Sequence, residues 1–282
     1  MAIGGNPVFN GKNFRSQTRG GNGATVDHGS LATQNYMSPQ QLQDLYSAPS
    51  AGPAHTGRMT YDDVIIKTLT CLAVVLVGAA IPLLVLPGAN MGLMIIGALG
   101  GFVLGLVNSF KREPAPALIL AYAALEGLFL GAFTEVIDAM YPGVGLQAVL
   151  GTVSVFAVTL VLFKSGKVRA TPKAVRFFMI AVIGYAVFSL INVGMMMFGA
   201  TDDPWGMRGY EIMGIPLGVL VGIFAVGLAA FALIMDFTSI EQGVQAGAPA
   251  RYSWTAAFGL TVTLVWLYVE LLRLLAILRG DD

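Results

Sequence analysis

Charge is scarce in this chain, and histidine and cysteine are scarcer. Only 11% of the 282 residues are Asp, Glu, Lys or Arg, against 56% hydrophobic residues and a mean hydropathy of +0.73. Soluble domains carry about a quarter charged residues, so the composition excludes one and points to an integral membrane protein. The formal net charge is zero, which gives no electrostatic reason to expect a nucleic-acid partner. The two histidines, His28 and His55, both precede the first long apolar run. The membrane segments therefore offer no imidazole for a metal site and no base for a Ser/His dyad. The single cysteine, Cys71, leaves no intrachain disulfide to form. The last apolar run contains no lysine for a retinal Schiff base. No phosphate-binding or dinucleotide glycine pattern stands in a strand-turn-helix context. An enzyme is not expected, and no cofactor is implied beyond an ion.

What is present falls into two parts. Residues 1–58 are rich in Gly, Ser, Asn and Gln, as in Arg19-Gly20-Gly21-Asn22-Gly23, and have too few apolar clusters to offset ordering entropy. They are expected to form a disordered cytoplasmic tail. Residues 59–282 read as an all-α domain of seven transmembrane helices. The spans run over about 64–86, 91–110, 115–136, 144–163, 174–198, from Ile212 past Met235, and 254–278. Each is near the roughly 20 residues that cross a bilayer core. Thr60 is placed to cap the first helix, with Asp62 and Asp63 in its first turn.

The basic residues set the expected orientation. Arg58, Lys67, Lys111, Arg112, Lys164, Lys167, Arg169, Lys173, Arg176 and Arg251 flank one side, whereas Arg208, Arg273 and Arg279 flank the other. The positive-inside rule then puts the N-terminus in the cytoplasm and the C-terminus outside a plasma (inner) membrane.

Carboxylates in or near the spans are the remaining chemistry: Glu126, Glu135, Asp138, Asp236, Glu241 and Glu270. Glu135 and Asp138 are expected in water at the end of the third span. Glu126 and Asp236 stand among apolar residues, where an ionisable group must face a polar cavity, find a partner or hold its proton. Glu270 has Arg273 three residues on, so a local pair on one helix competes with any role in a site.

Ala121-Tyr122-Ala123-Ala124-Leu125-Glu126-Gly127-Leu128-Phe129-Leu130-Gly131, Asp236, and Leu267-Tyr268-Val269-Glu270 resemble the Bax inhibitor-1 type, or transmembrane Bax inhibitor motif, family in its bacterial form. The likeness runs over about residues 62–282. It implies a central seventh helix ringed by the other six, and a pH-sensitive calcium leak. In such a leak, two aspartates on the last two spans share a proton and a basic residue at the end of the second span latches them. Asp236 matches the first aspartate, and Lys111 or Arg112 stands near the latch position. The second aspartate has no simple counterpart: one match gives Glu270, and a gapless match gives Thr263.

Depth suggests a different companion. At about 1.5 Å per residue, Asp236 lies roughly 12 Å and Glu126 roughly 16 Å from the inner end, whereas Glu270 lies roughly 12 Å from the outer end. Asp236 and Glu126 are therefore expected to share an inner carboxylate site, with Glu270 a second, outer point. Two close carboxylates do not both ionise cheaply and titrate as a unit. Deprotonated, they offer calcium hard oxygen ligands; acid, or Lys111 or Arg112, would displace the ion. The alternative is a non-conducting regulator that binds another membrane protein, such as a protease or stress-response factor.

Overall fold

The computed structural model describes residues 57–85, 90–166, 170–201 and 203–280. The expectation of a disordered tail falls on residues outside these. Seven helices follow one another: α1 Tyr61–Ala80, α2 Asn90–Phe110, α3 Pro116–Met140, α4 Val144–Lys164, α5 Pro172–Met197, α6 Leu217–Gln245 and α7 Ser253–Gly280. All seven are long and apolar enough to cross a membrane. The protein is a multi-pass, all-α membrane protein.

Local chemistry explains the helix ends. The Thr60 hydroxyl accepts from the Asp63 backbone N–H at 3.1 Å, the expected cap of α1. Pro116 and Pro172 open α3 and α5, where the missing N–H has no partner to lose. Asp138 accepts from the N–H groups of Gly143 and Gly145 at 3.0 and 2.9 Å, so it closes the α3–α4 turn rather than standing in open water. The end of α1 widens into a π-helical turn over Ile81–Val85, which contains Pro82. One boundary differs from the sequence reading. The sixth span was expected to begin at Ile212, yet strands β1 Glu211–Ile212 and β2 Ile215–Pro216 form a small antiparallel hairpin there. Met213 and Gly214 both take positive φ, 56° and 76°, as a two-residue hairpin turn requires, and the helix starts only after Pro216.

α7 is the central element. Buried residues make up 56% of its span, against 6% for α5 and 11% for α2 and α4. Ala257 and Val265 pack with Cys71 and Val75 of α1 and Ala123 of α3, and Tyr122 meets Phe258 edge-on at 5.0 Å. Leu260, Leu264 and Leu267 pack on Ala229 and Leu233 of α6. Leu272 and Ala276 pack on Val144 and Ala148 of α4, and Trp266 lies against Tyr185 of α5. On the outside, residues such as Ile66, Phe110, Phe177 and Leu190 are exposed, as suits a lipid-facing surface.

The helices meet backbone to backbone where glycine permits it. A Cβ on Gly78 would lie 2.6 Å from the Ala124 carbonyl, and one on Gly127 would run into the Val75 carbonyl. At what we call the basic end, which carries Lys67, Lys111, Arg112, Lys164 and Arg251, residues 57–59 clasp the α6–α7 connection. Met59 N–H donates to Ala248 O at 2.7 Å and Ala250 N–H donates to Gly57 O at 2.8 Å. Lys67 adds an ion pair to Asp63 at 2.7 Å and a bond to Ala250 O at 3.2 Å.

Gly127→Ala is expected to cost about 1–3 kcal/mol by overpacking the α1–α3 contact. Gly227→Ala, where a Cβ meets nothing within 4 Å, should be neutral or slightly stabilising. Thermal unfolding of the two variants in detergent micelles checks the contrast.

Candidate functional site

Asp236 lies nine residues before the end of α6, or roughly 14 Å from the basic end. Its Oδ2 accepts from the Thr263 hydroxyl of α7 at 2.7 Å. Gly259, one turn earlier on α7, leaves open the space beside Oδ1: a Cβ there would lie 3.7 Å away. Among the described residues no Lys or Arg pairs with Asp236. The residue sits on a stripe of α6 that repeats every three or four positions through Gly218, Gly222, Ala225, Ala229, Ala232 and Ile240, all buried. These small side chains let α6 and α7 approach closely, and Asp236 is the only ionisable group on that stripe.

Glu126 is held elsewhere. Its carboxylate lies over Gly101 of α2, where a Cβ would come within 2.7 Å of Oε1. Tyr122 stands one turn before it on the same helix. α3 packs on the Ala257 and Val265 side of α7, whereas Asp236 meets the Gly259 and Thr263 side. At 100° per residue those two sides are roughly 180° apart around the α7 axis. Counted along their helices, Glu126 and Asp236 stand at similar depth, but Asp236 bonds to Thr263 of α7 whereas Glu126 lies over Gly101 of α2, and α7 runs between them.

Glu270 is 2% exposed and sits in a charged cluster near the opposite end, the far end. Arg273 Nη1 donates to Oε1 at 2.9 Å, Arg208 Nη1 approaches Oε2 at 3.5 Å, and the Tyr185 hydroxyl of α5 donates to Oε1. Arg208 is itself 3% exposed. Its Nη2 donates to Tyr185 Oη at 2.9 Å and Ser189 Oγ at 3.2 Å, and its guanidinium lies over the Tyr185 and Phe188 rings. A buried ion pair is tolerated only when its remaining donors and acceptors are satisfied, and this network satisfies them.

Arg208 reaches the interior because its loop is built to carry it. Asn192 of α5, buried, accepts from Met207 N–H at 2.7 Å and donates to Trp205 O at 3.2 Å. Asp203 accepts from Trp205 N–H at 2.6 Å. Gly206, at φ 65°, fits against Asn192 where a side chain would collide.

The sequence reading counted Arg208 only as a flank residue and passed over Tyr185. A signal was available: Arg208 is the only Lys or Arg between Arg176 and Arg251. Thr263 lies opposite Asp236, at the position that the gapless match suggested. Lys111 and Arg112 are exposed in the α2–α3 connection, and no hydrogen bond or ion pair among the described residues joins them to Asp236 or Glu126. Glu135 departs from the expected solvated state, because its Oε2 is buried with no hydrogen-bond partner among the described residues.

A separate groove of about 890 Å³ lies between α1 and α4 over α7. Leu69, Leu72, Val153, Phe156 and Leu264 typify its lining, and Asp138 is its only carboxylate. Asp236, Glu126 and Glu270 do not line it.

A seven-helix membrane protein with a central last helix and, on the α6–α7 seam, a carboxylate that no cation pairs among the described residues is thus defined by fold and site together. The family model described as Bax inhibitor 1 like matches residues 6–280, and the chain belongs to that family. The match takes in most of the N-terminal segment that the resemblance alone had left aside. No curated protein matches the sequence.

Arg208→Met should cost about 1–3 kcal/mol, because Glu270 keeps Arg273 and Tyr185 on Oε1 but its buried Oε2 loses its donor. Adding Glu270→Gln to it should recover most of that loss. Unfolding of the single and double variants in micelles measures both.

Proposed function

We propose that the protein is a pH-sensitive cation leak of the calcium type, with Asp236 as its ion-binding carboxylate. The observation that carries this is the placement of Asp236. It lies deep in the membrane on the seam of the central helix, bonded to a neutral hydroxyl rather than to a cation. A buried carboxylate with no counter-ion is costly, and such groups in membrane spans mark ion or proton pathways.

The donor set bears on how calcium would be held. Calcium takes six to eight oxygens. Asp236 and Thr263 offer at most three, and the described residues contain no group of three or more His, Cys, Asp or Glu able to hold a metal. Water must supply the rest, so the ion is held weakly. A conducting site needs binding weak enough to release its ion, so the sparse donor set favours a leak over a storage site. Protonation of Asp236 removes its formal charge, and acid therefore lowers cation occupancy. Glu126, across α7 from Asp236, is assigned to a second pH-sensing station at the α2–α3 contact. Lys111 and Arg112 are assigned to the cytoplasmic approach. The excess of basic residues at their end supports a cytoplasmic assignment for that end, and in this reading the protein belongs to a plasma membrane. In this reading the chain is not an enzyme and needs no cofactor.

A second reading has its own observation. Glu270 is tied into a local ion pair, and the α1–α4 groove is almost wholly apolar. Both suit a non-conducting partner of another membrane protein.

Calcium flux into proteoliposomes across a pH series decides between them. The leak reading predicts flux that falls on acidification in the wild type and a flat, low profile for Asp236→Asn. Thr263→Val should reduce the flux severalfold. No flux at any pH in the wild type would refute the leak and favour the regulator.

A further inference from the structure

The α6–α7 seam holds two polar stations in line. Thr263 and Glu270 are seven residues apart, two helical turns, so they lie on one face of α7 and roughly 10 Å apart along it. On α6, Gly218 and Asp236 are eighteen residues apart, five turns, and again share a face. Gly218 is where Arg208 crosses: a Cβ there would lie 2.9 Å from the Arg208 carbonyl oxygen and 3.1 Å from its Cβ. Arg208 therefore covers the far end of the same seam that holds Asp236, with its guanidinium on Glu270.

How Arg208 is held determines what can move. Its loop is fastened to α5 through Asn192, and α5 has only 6% of its span buried. The charged groups that face this end are Arg208 from the loop and Glu270 and Arg273 from α7; Tyr185 and Ser189 face it from α5. α5 and its loop thus form a peripheral unit whose polar tie to the central helix is this cluster. Elsewhere α5 rests on α6 and α7 through apolar contacts such as Phe178 with Leu228 and Ala232, which slide more readily than a directed ion pair.

We propose that the Arg208–Glu270 contact closes the Asp236 seam on the far side, and that its release, as α5 and the loop swing from α7, admits water and ions to Asp236. The proposal rests on Asp236 being the ion-binding carboxylate, but it concerns access and can be tested apart from conduction.

The reporter is a cysteine at position 263, Thr263→Cys, in a Cys71→Ser background, in proteoliposomes of one orientation. A membrane-impermeant maleimide is added to one side at a time. With Arg208 present, far-side labelling should be slow. Arg208→Gln should speed it at least tenfold without changing labelling from the basic side, and Arg208→Lys, which keeps the charge but not the fork, should fall between the two. Unchanged far-side labelling in Arg208→Gln overturns the proposal. Faster labelling from both sides also overturns it, because Arg208 then only holds the fold together. Far-side acceleration in the reporter, together with a wild-type protein that passes no calcium, supports the closure and refutes the leak.

Discussion

The cost of a carboxylate in hydrocarbon governs this molecule. An isolated charge has no place in a low-dielectric interior, so each acid in the bundle must be compensated, and the three deep ones are compensated differently. Glu270 has two guanidiniums and a phenol. Glu126 has a niche over α2 that Gly101 leaves open. Asp236 has one threonine hydroxyl. Asp236, whose one partner is a neutral hydroxyl reached across the α6–α7 seam, is free to exchange it for a proton or a cation, and for that reason the functional reading rests on it.

The architecture serves that inequality. α7 is central because four helices engage it: leucines toward α6, Ala257, Phe258 and Val265 toward α1 and α3, and Leu272 and Ala276 toward α4. A helix packed on most of its circumference does not move cheaply, so Asp236 faces a fixed wall and Glu270 stands on it. The peripheral helices, α2 and α5 above all, carry little buried surface and are the elements with freedom to shift.

Much of this was legible in the sequence. Seven spans follow from the length of apolar runs that a bilayer demands, and Thr60 announced its own cap. The one misplaced boundary, at Ile212, came from an apolar Ile-Met-Gly-Ile-Pro segment whose hydropathy continues that of α6. Only the paired positive φ angles at Met213 and Gly214 distinguish it as a hairpin. Depth along a helix was also readable, and Asp236 and Glu126 do stand at similar levels. What one-dimensional counting omits is azimuth: which side of α7 each neighbour occupies depends on packing between helices, and that separates the partners of the two acids. Arg208 escaped because a loop residue is read as solvated, whereas Asn192, Asp203 and Gly206 together turn its side chain inward.

The central claim is that the Asp236 carboxylate itself meets the ion. The difference infrared spectrum of the purified protein, with calcium minus without, at neutral pH tests it most directly. The account predicts a change in a carboxylate stretching band in the wild type that disappears in acid and is missing from Asp236→Asn. Identical difference spectra for the wild type and Asp236→Asn would contradict it.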